Sequence, residues 1–138
     1  GLKGLRNFQK QAKIINKSII VCGVTILTSL DNKSLRQIGY KDKVEKLVLK
    51  QAALIKKSGL KGIVASGSEA KIIRKKYKKL FILTPGIRLP GDKVNDQSRI
   101  FTPKAALQAG ASAIVLGRSI LHSGKIKHNI KRLIDHLN

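Results

Sequence analysis

The chain has 138 residues, which is enough for one domain with a substantial core and too few for two ordinary domains. A hydrophobic content of 42% argues against disorder, and 4% aromatic residues without Trp or Met require a core built of Ile, Leu, Val and Ala. The 29 basic and 7 acidic residues give a net charge of +22, which excludes an acidic-surface protein and raises the question of a polyanionic partner.

Short apolar runs predict β-strands, with helical segments before, between and after them. The runs are Ile19–Leu27, Gly62–Ala65, Leu80–Leu83 and Ala113–Leu116. They are aliphatic without clean alternation, which is typical of parallel strands buried on both faces. The helical segments, recognised by apolar periodicity and by end signals, are Leu5–Ile15, Asp42–Ser58, Ser68–Lys79, Pro103–Ala109 and Lys125–Leu137.

The alternation of these segments predicts an α/β fold. Helices and strands follow one another as α-β-α-β-α-β-α-β-α, which favours one parallel sheet with right-handed crossovers. Residues 1–138 form a single domain without a separate linker in this interpretation. Two architectures fit four strand–helix units: a small doubly wound sheet, or half of a (β/α)8 barrel, since a whole barrel takes about 250 residues.

The sequence shows no pattern for a metal site, a disulfide bond or a membrane span. Cys22 is the single cysteine and lies in an apolar run, so it is predicted to be a core residue without a disulfide or a zinc site. His122, His128 and His136 are too far apart for a metal-binding pair on one helix turn. No signal peptide opens the chain, and no run reaches the roughly 20 apolar residues of a membrane span, so we expect a cytoplasmic location.

The high positive charge has two interpretations. A basic surface that binds nucleic acid is one, and the stretch Lys71–Lys79, with six basic residues and one Tyr, is its best candidate. The other is compositional drift toward Lys, Ile and Asn, with Lys71–Lys79 as a solvated outer helix. We favour drift because the lysines are spread through the chain and aromatic residues that could stack on bases are few.

The segment Thr84–Pro103 has an unusual composition. It contains all three prolines and two of the seven arginines, but one lysine among the chain's 22. Arg88 follows the third predicted strand in the string Pro-Gly-Ile-Arg, and Gly117-Arg118 follows the fourth. Glycine lets a backbone approach an anion, and arginine offers phosphate a forked pair of hydrogen bonds that lysine lacks. In barrels, phosphate sites are frequently built from the last two strand–helix loops. The pattern favours phosphate binding; the alternative is that these arginines are merely solvated and the glycines merely form turns.

Four strand-end motifs carry a resemblance to a known family. They are VTILTS (Val24–Ser29), GLKGIVAS (Gly59–Ser66), LTPGIRLPGDKVNDQSRIFTP (Leu83–Pro103) and AGASAIVLGRSI (Ala109–Ile120). In this order and spacing, over nearly all of the chain, they resemble consecutive motifs of orotidine 5′-phosphate decarboxylase. The resemblance implies a (β/α)8 barrel that makes UMP from orotidine 5′-phosphate without a metal or cofactor. It also implies that this chain corresponds to strands five to eight, the C-terminal half of the barrel.

The resemblance also implies roles for individual residues. Arg88 and Arg118, with the backbone of Gly117, would bind the substrate phosphate. Gln97 would bridge from the long loop to the phosphate and the pyrimidine, and Thr28 would contact the pyrimidine ring. A long loop with glycine hinges could close over the phosphate and exclude water, which agrees with these roles.

One departure from the family bears on catalysis. The family's chemistry comes from an Asp-x-Lys-x-x-Asp motif, and the sequence contains none; the nearest string, Asp31–Arg36, ends in Arg and follows the wrong strand. No catalytic residue is therefore predicted, because decarboxylation needs a proton donor close to the leaving-group carbon. We expect the chain to be inactive alone, whether it is a truncated, split or decaying gene product.

Three interpretations of the function remain open at this point. The first is an orotidine 5′-phosphate decarboxylase half that, having two uncovered strand edges, self-associates or docks to a missing N-terminal half. The second is a non-catalytic binder of nucleotides or sugar phosphates. The third is a basic RNA-associated protein.

Overall fold

The sheet is built from the apolar runs, in the order in which they occur along the chain. The structure, a computed structural model, describes residues 1–92, 100–121 and 124–138. Its strands are β1 Cys22–Val24, β2 Gly62–Val64, β3 Phe81–Thr84 and β4 Ala113–Ile114. They pair in parallel in the order β1-β2-β3-β4. No strand is longer than its apolar run, because the strand includes only residues that pair in register with a neighbouring strand.

Helices flank every strand. Within the described residues they are α1 Leu2–Ile15, α2 Asn32–Gln37, α3 Val44–Ser58, α4 Gly67–Lys76, α5 Pro103–Gln108, α6 Arg118–Leu121 and α7 Ile126–Leu137. The predicted helices are all present, with ends shifted by up to three residues. The two short helices α2 and α6 were not predicted. None of the helices described is long and apolar enough to cross a membrane.

Local side-chain chemistry fixes where several helices begin and end. Asp31 begins α2 because its carboxylate accepts a 2.7 Å hydrogen bond from the Ser34 amide, and that bond lowers the pKa of Asp31. Thr102 caps α5 through the Ala105 amide, with Pro103 at the first helical position. Gly59 ends α3 in the left-handed conformation, with φ of 87°.

The strand order decides between the two predicted architectures. Successive right-handed crossovers between neighbouring strands place every connecting helix on the same face of the sheet. On that face Ile63 and Ile82 are fully buried against Ile55 of α3 and Ile73 of α4. A doubly wound sheet instead has helices on both faces and a reversal of strand order. The fold is therefore half of a (β/α)8 barrel, which confirms one of the two predicted alternatives.

The opposite face of the sheet is uncovered, and we call it the open face. By register and alternation it carries Val24, Val64, Phe81, Leu83 and Val115. Val24 is 61% exposed and Val115 44% exposed. The prediction that the strands are buried on both faces is therefore wrong, because the described residues supply helices to one face alone. An apolar run shows that a strand is hydrophobic. It does not show which element of the fold covers each face of that strand.

Arg74 joins α4 to the amino-terminal end of the sheet. Its Nε and Nη2 donate to the carbonyl oxygen of Gly110 at 3.0 and 2.9 Å, and Nη1 donates to the carbonyl oxygens of Lys78 and Leu80. Nη2 also donates to Ser112 Oγ, which accepts the amide of Ile82 in β3. One planar guanidinium thus satisfies acceptors from two strand–helix connections, which a single ammonium group cannot do.

We predict that Arg74→Lys lowers the free energy of unfolding by about 1–3 kcal/mol, because several acceptors lose their donors together. Urea unfolding followed by circular dichroism measures the change. Arg36→Lys, at an exposed position in α2, serves as the matched control and should change stability by less than about 0.5 kcal/mol. Equal effects of the two substitutions would contradict the role assigned to Arg74.

Candidate phosphate-binding site

A cavity lies at the carboxyl ends of β1, β2 and β3. Its volume is about 250 Å³, and the apolar side chains of Val24, Ile26 and Leu27 form much of its wall. Thr28, Ser29, Ser66 and Pro85 contribute polar and small groups to the same wall. The structure thus places Thr28, predicted to contact a pyrimidine, in a half-buried position in the loop after β1, on the same cavity wall as Pro85 of the loop after β3.

Arg88 lies three residues after Pro85 of this cavity wall and has an unusual environment. Its side chain is 7% exposed, and Nη1 donates to the neighbouring Ile87 carbonyl at 2.9 Å. Nε and Nη2 are buried and have no hydrogen-bond partner within the described parts of the chain. A buried cation with unpaired donors is costly, and native structures normally supply an acceptor. Among the described residues, the Arg88 guanidinium therefore has two buried donors, at Nε and Nη2, that remain open to an acceptor.

The loops after β3 and β4 meet next to Arg88. The amide of Leu89 donates a long, 3.4 Å hydrogen bond to Ser119 Oγ, and Ser119 is buried in α6. Gly117 and Arg118 directly precede Ser119, and Arg118, the first residue of α6, is exposed. The structure therefore brings together the two loops that carry Arg88 and Arg118, as the sequence predicted.

Asp92 and Arg132 fasten the same loop to the last helix. Arg132 Nη2 donates to the carbonyl oxygen of Pro90 at 2.8 Å and to Asp92 Oδ1 at 3.0 Å. Partial burial by itself would raise the pKa of Asp92, but hydrogen bonds from Ser119 and Arg132 and the charge of Arg132 outweigh it and lower that pKa. Neither residue was predicted, because a pair 40 positions apart leaves no local pattern in the sequence.

Gln97 lies outside the residues that the structure describes. Its neighbours Asp96 and Arg99 lie outside the described residues as well. The predicted bridge from Gln97 to the phosphate and the pyrimidine therefore stays a prediction.

Other candidate sites give weaker indications. The described residues hold no group of three His, Cys, Asp or Glu side chains that could bind a metal. In the basic stretch, Tyr77 is half-buried against the core, with Lys76 Nζ 5.9 Å from its ring centre. Arg74 of that stretch is engaged by backbone carbonyls. The aromatic side chain and the arginine are thus committed to the fold, so an RNA interface on α4 stays a prediction that rests on lysines alone.

Comparison with known proteins identifies the family. The sequence profile described as "Orotidine 5′-phosphate decarboxylase / HUMPS family" matches residues 1–133. The chain belongs to this family. Orotidine 5′-phosphate decarboxylases of two Coxiella burnetii strains, RSA 493 / Nine Mile phase I and RSA 331 / Henzerling II, are 45% identical to the chain over 114 residues. The match covers 82% of this chain and 48% of each relative, so this family member spans about half the length of those relatives.

Solved structures agree with the fold of this decarboxylase-family chain. An orotidine 5′-phosphate decarboxylase from Lactobacillus acidophilus superposes with a TM-score of 0.64 at 32% identity, over 83% of this chain and 47% of that one. An uncharacterized conserved protein from Geobacillus kaustophilus gives 0.63 at 28%, over 85% and 48%. An orotidine 5′-monophosphate decarboxylase from Sulfolobus solfataricus gives 0.61 at 17% identity, over 91% and 52%, which supports the fold alone. The family and half-barrel predictions are confirmed.

We predict that Asp92→Asn destabilises the chain at neutral pH and not in acid. The carboxylate has a lowered pKa in the folded state, so its stabilisation is present above the ordinary pKa of Asp and is lost as the pH falls through the lowered value. The expected loss is about 1 kcal/mol at pH 7, because the pair is only partly buried. The variant and the parent should converge as the pH falls through the lowered pKa of Asp92.

Urea unfolding at several pH values measures this difference. Asp135→Asn, at an exposed position in α7, is the matched control and should follow the parent at every pH. A difference between Asp92→Asn and the parent that stays constant down to pH 2 would contradict the assignment.

Proposed function

We propose that this chain binds the 5′-phosphate of an orotidine 5′-phosphate or UMP-type ligand, with Arg88 as the principal anchor. The observation that carries the proposal is the buried guanidinium of Arg88 with Nε and Nη2 unpaired among the described residues. A phosphate oxygen pair matches that fork and would remove the cost of two unpaired buried donors. The similarity to orotidine 5′-phosphate decarboxylases of Coxiella burnetii and Lactobacillus acidophilus supports this ligand class.

The remaining ligand contacts follow from the resemblance and from position. Arg118 and the backbone of Gly117 would hold the phosphate from the loop after β4, and Gln97 would join phosphate to pyrimidine. Thr28 would contact the pyrimidine ring from the cavity wall, where the structure places it. The pyrimidine thus lies over the carboxyl ends of β1 and β2, and the phosphate lies over those of β3 and β4.

The described residues supply groups for binding but no evident proton donor. Among the described residues, the cavity wall contains no carboxylate and no ammonium group. Glu69, close in sequence to Ser66, is buried and engaged with Ser66 and Ser68 in the capping box of α4. Asp42 forms ion pairs with Lys46 and Lys50 on the helix side. Decarboxylation therefore requires acidic and basic groups from other strand–helix units.

The open face is the surface on which those units would dock. It is apolar, partly exposed and bordered by the free edges of β1 and β4. The matched relatives are about twice as long as the matched segment, which leaves length for four further strand–helix units. We propose that such a complementary half barrel covers the open face, and that self-association of the chain occurs only in its absence.

We predict that the chain binds UMP measurably and that Arg88→Lys weakens binding at least about tenfold, because an ammonium cannot reproduce the forked contact. Isothermal titration calorimetry measures this affinity. Uridine, which lacks the phosphate, should show no difference between parent and variant. Arg36→Lys is the matched control. Equal UMP binding by parent and Arg88→Lys would refute the anchor role, and absence of UMP binding by the parent would refute the proposed function.

We predict that the chain alone forms no UMP from orotidine 5′-phosphate, and that adding the unmatched half of the Coxiella burnetii relative produces activity. An ultraviolet assay of decarboxylation and sedimentation velocity measure activity and association. Val24→Lys, on the open face, should abolish both, since it places a charge in a buried apolar interface. Leu54→Lys, at an exposed position on α3, is the control.

Three outcomes would count against the complementary half barrel. UMP formation by the chain alone would refute the proposal that the proton donor comes from other strand–helix units. If the chain stays monomeric and forms no complex with the added half, docking would be refuted. If two copies of the chain form a stable complex that does not dissociate when the other half is added, the open face would be assigned to self-association.

A further inference from the structure

Phe101 connects the start of α4 to the loop that carries Arg88. It is one of three phenylalanines in the chain and was not singled out by the sequence. Its amide donates to the carbonyl oxygen of Gly86 at 3.3 Å, and its carbonyl oxygen accepts the amide of Arg88 at 3.0 Å. These two bonds form an isolated parallel bridge between Ile87 and Phe101. The backbone of Arg88 is thus held by the backbone of Phe101.

The ring of Phe101 rests on Gly67, the first residue of α4. A Cβ atom built on Gly67 would lie 2.6 Å from Cδ1 of the ring, closer than side chains tolerate. The ring could not remain where it is if residue 67 had any side chain. Gly67 is therefore needed for a close approach and not for an unusual backbone angle, since its φ lies outside the left-handed region.

The surface beneath the ring is firmly fixed. Ser66 caps α4, its amide donates to Glu69 Oε2 at 3.1 Å, and its hydroxyl group bonds to the same carboxylate. Both residues are buried. This reciprocal capping box holds the first turn of α4 in place. Ser66 also lines the cavity at the carboxyl ends of the strands, so the same turn borders the proposed pyrimidine side of the site.

We infer that Gly67 and Phe101 form a positioning contact that sets the place of Arg88 for phosphate binding. The ring of Phe101 seats on Gly67, the Phe101 backbone holds Gly86 and Arg88, and the guanidinium takes its position from that backbone. Neither residue touches the phosphate in this account. The inference rests on the proposed function of Arg88 and adds to it a determinant from a different strand–helix unit.

The substitution Gly67→Ala separates this account from ordinary helix energetics. In a helix, Ala is intrinsically more favourable than Gly by up to about 1 kcal/mol, so propensity alone predicts a neutral or stabilising effect. The positioning contact predicts the opposite at the site, because the methyl group displaces the ring. Gly4→Ala in α1 is the matched control, since a Cβ there meets nothing within 4 Å.

The experiment uses the parent chain, Gly67→Ala, Phe101→Ala and the double variant, with two measurements. Hydrogen exchange of the Arg88 amide, followed by NMR, reports the bond to Phe101 without any ligand. Calorimetric titration with UMP and with uridine reports the phosphate site. We expect Gly67→Ala to speed Arg88 exchange and to weaken UMP binding, each by at least about tenfold, with uridine binding unchanged.

In the Phe101→Ala background the ring is absent, so Gly67→Ala should have no further effect on either measurement. An equal effect of Gly67→Ala in both backgrounds, or an unchanged Arg88 exchange rate, would overturn the positioning contact. Faster exchange of the Arg88 amide with unchanged UMP affinity would overturn the role of the Gly67–Phe101 contact in binding. If the parent chain fails to bind UMP, the proposed function fails, while the exchange measurement still decides whether Phe101 positions Arg88.

Discussion

Parallel pairing in sequential order, from β1 to β4, determines where every other element of this chain lies. Because each crossover is right-handed and joins neighbouring strands, the helices collect on one face and all strand–helix loops emerge at one edge of the sheet. The helix face becomes the core, with Ile63 and Ile82 fully buried. The loop edge carries the candidate site, where Thr28 and Arg88 follow different strands. The open face is the third consequence of the same pairing.

The chemistry of arginine explains why this lysine-rich chain has arginine at particular places. Arg74 reaches the carbonyl oxygens of Lys78, Leu80 and Gly110 through one planar group. Arg132 holds both a backbone carbonyl and a carboxylate. Arg88 is buried with a fork that still lacks acceptors among the described residues. In each place a flexible ammonium group would satisfy fewer partners, so drift toward lysine would carry a cost there that it does not carry on the solvated helix surfaces.

The sequence predicted the parts of the fold that depend on local patterns. Apolar runs located all four strands, and Gly59 and the Thr102-Pro103 pair located helix ends, because these signals act within a few residues. The prediction that both faces of the strands are buried was wrong, because hydrophobicity does not show which element covers a side chain. The short α2 was missed, although Asp31 and Ser34 carry the capping signal.

The site was predicted in the same uneven way. Strand-end motifs located Arg88, Gly117 and Arg118 on two loops that adjoin in the structure, and their binding role stays a prediction. Ser119, the Asp92–Arg132 pair and the seat of Phe101 on Gly67 were not found, because they join segments 30 or more positions apart. Such contacts follow from the way the strand–helix units pack, and a single sequence does not reveal that packing.

We propose that the phosphate anchor is complete within this half of the barrel and awaits only its ligand. The most direct test is NMR observation of the Arg88 Nε–Hε group during titration with inorganic phosphate, with Arg36 as the internal reference. The account predicts a saturable shift at Arg88 and no comparable shift at Arg36. Absence of a shift at Arg88, or equal shifts at both arginines, would contradict it.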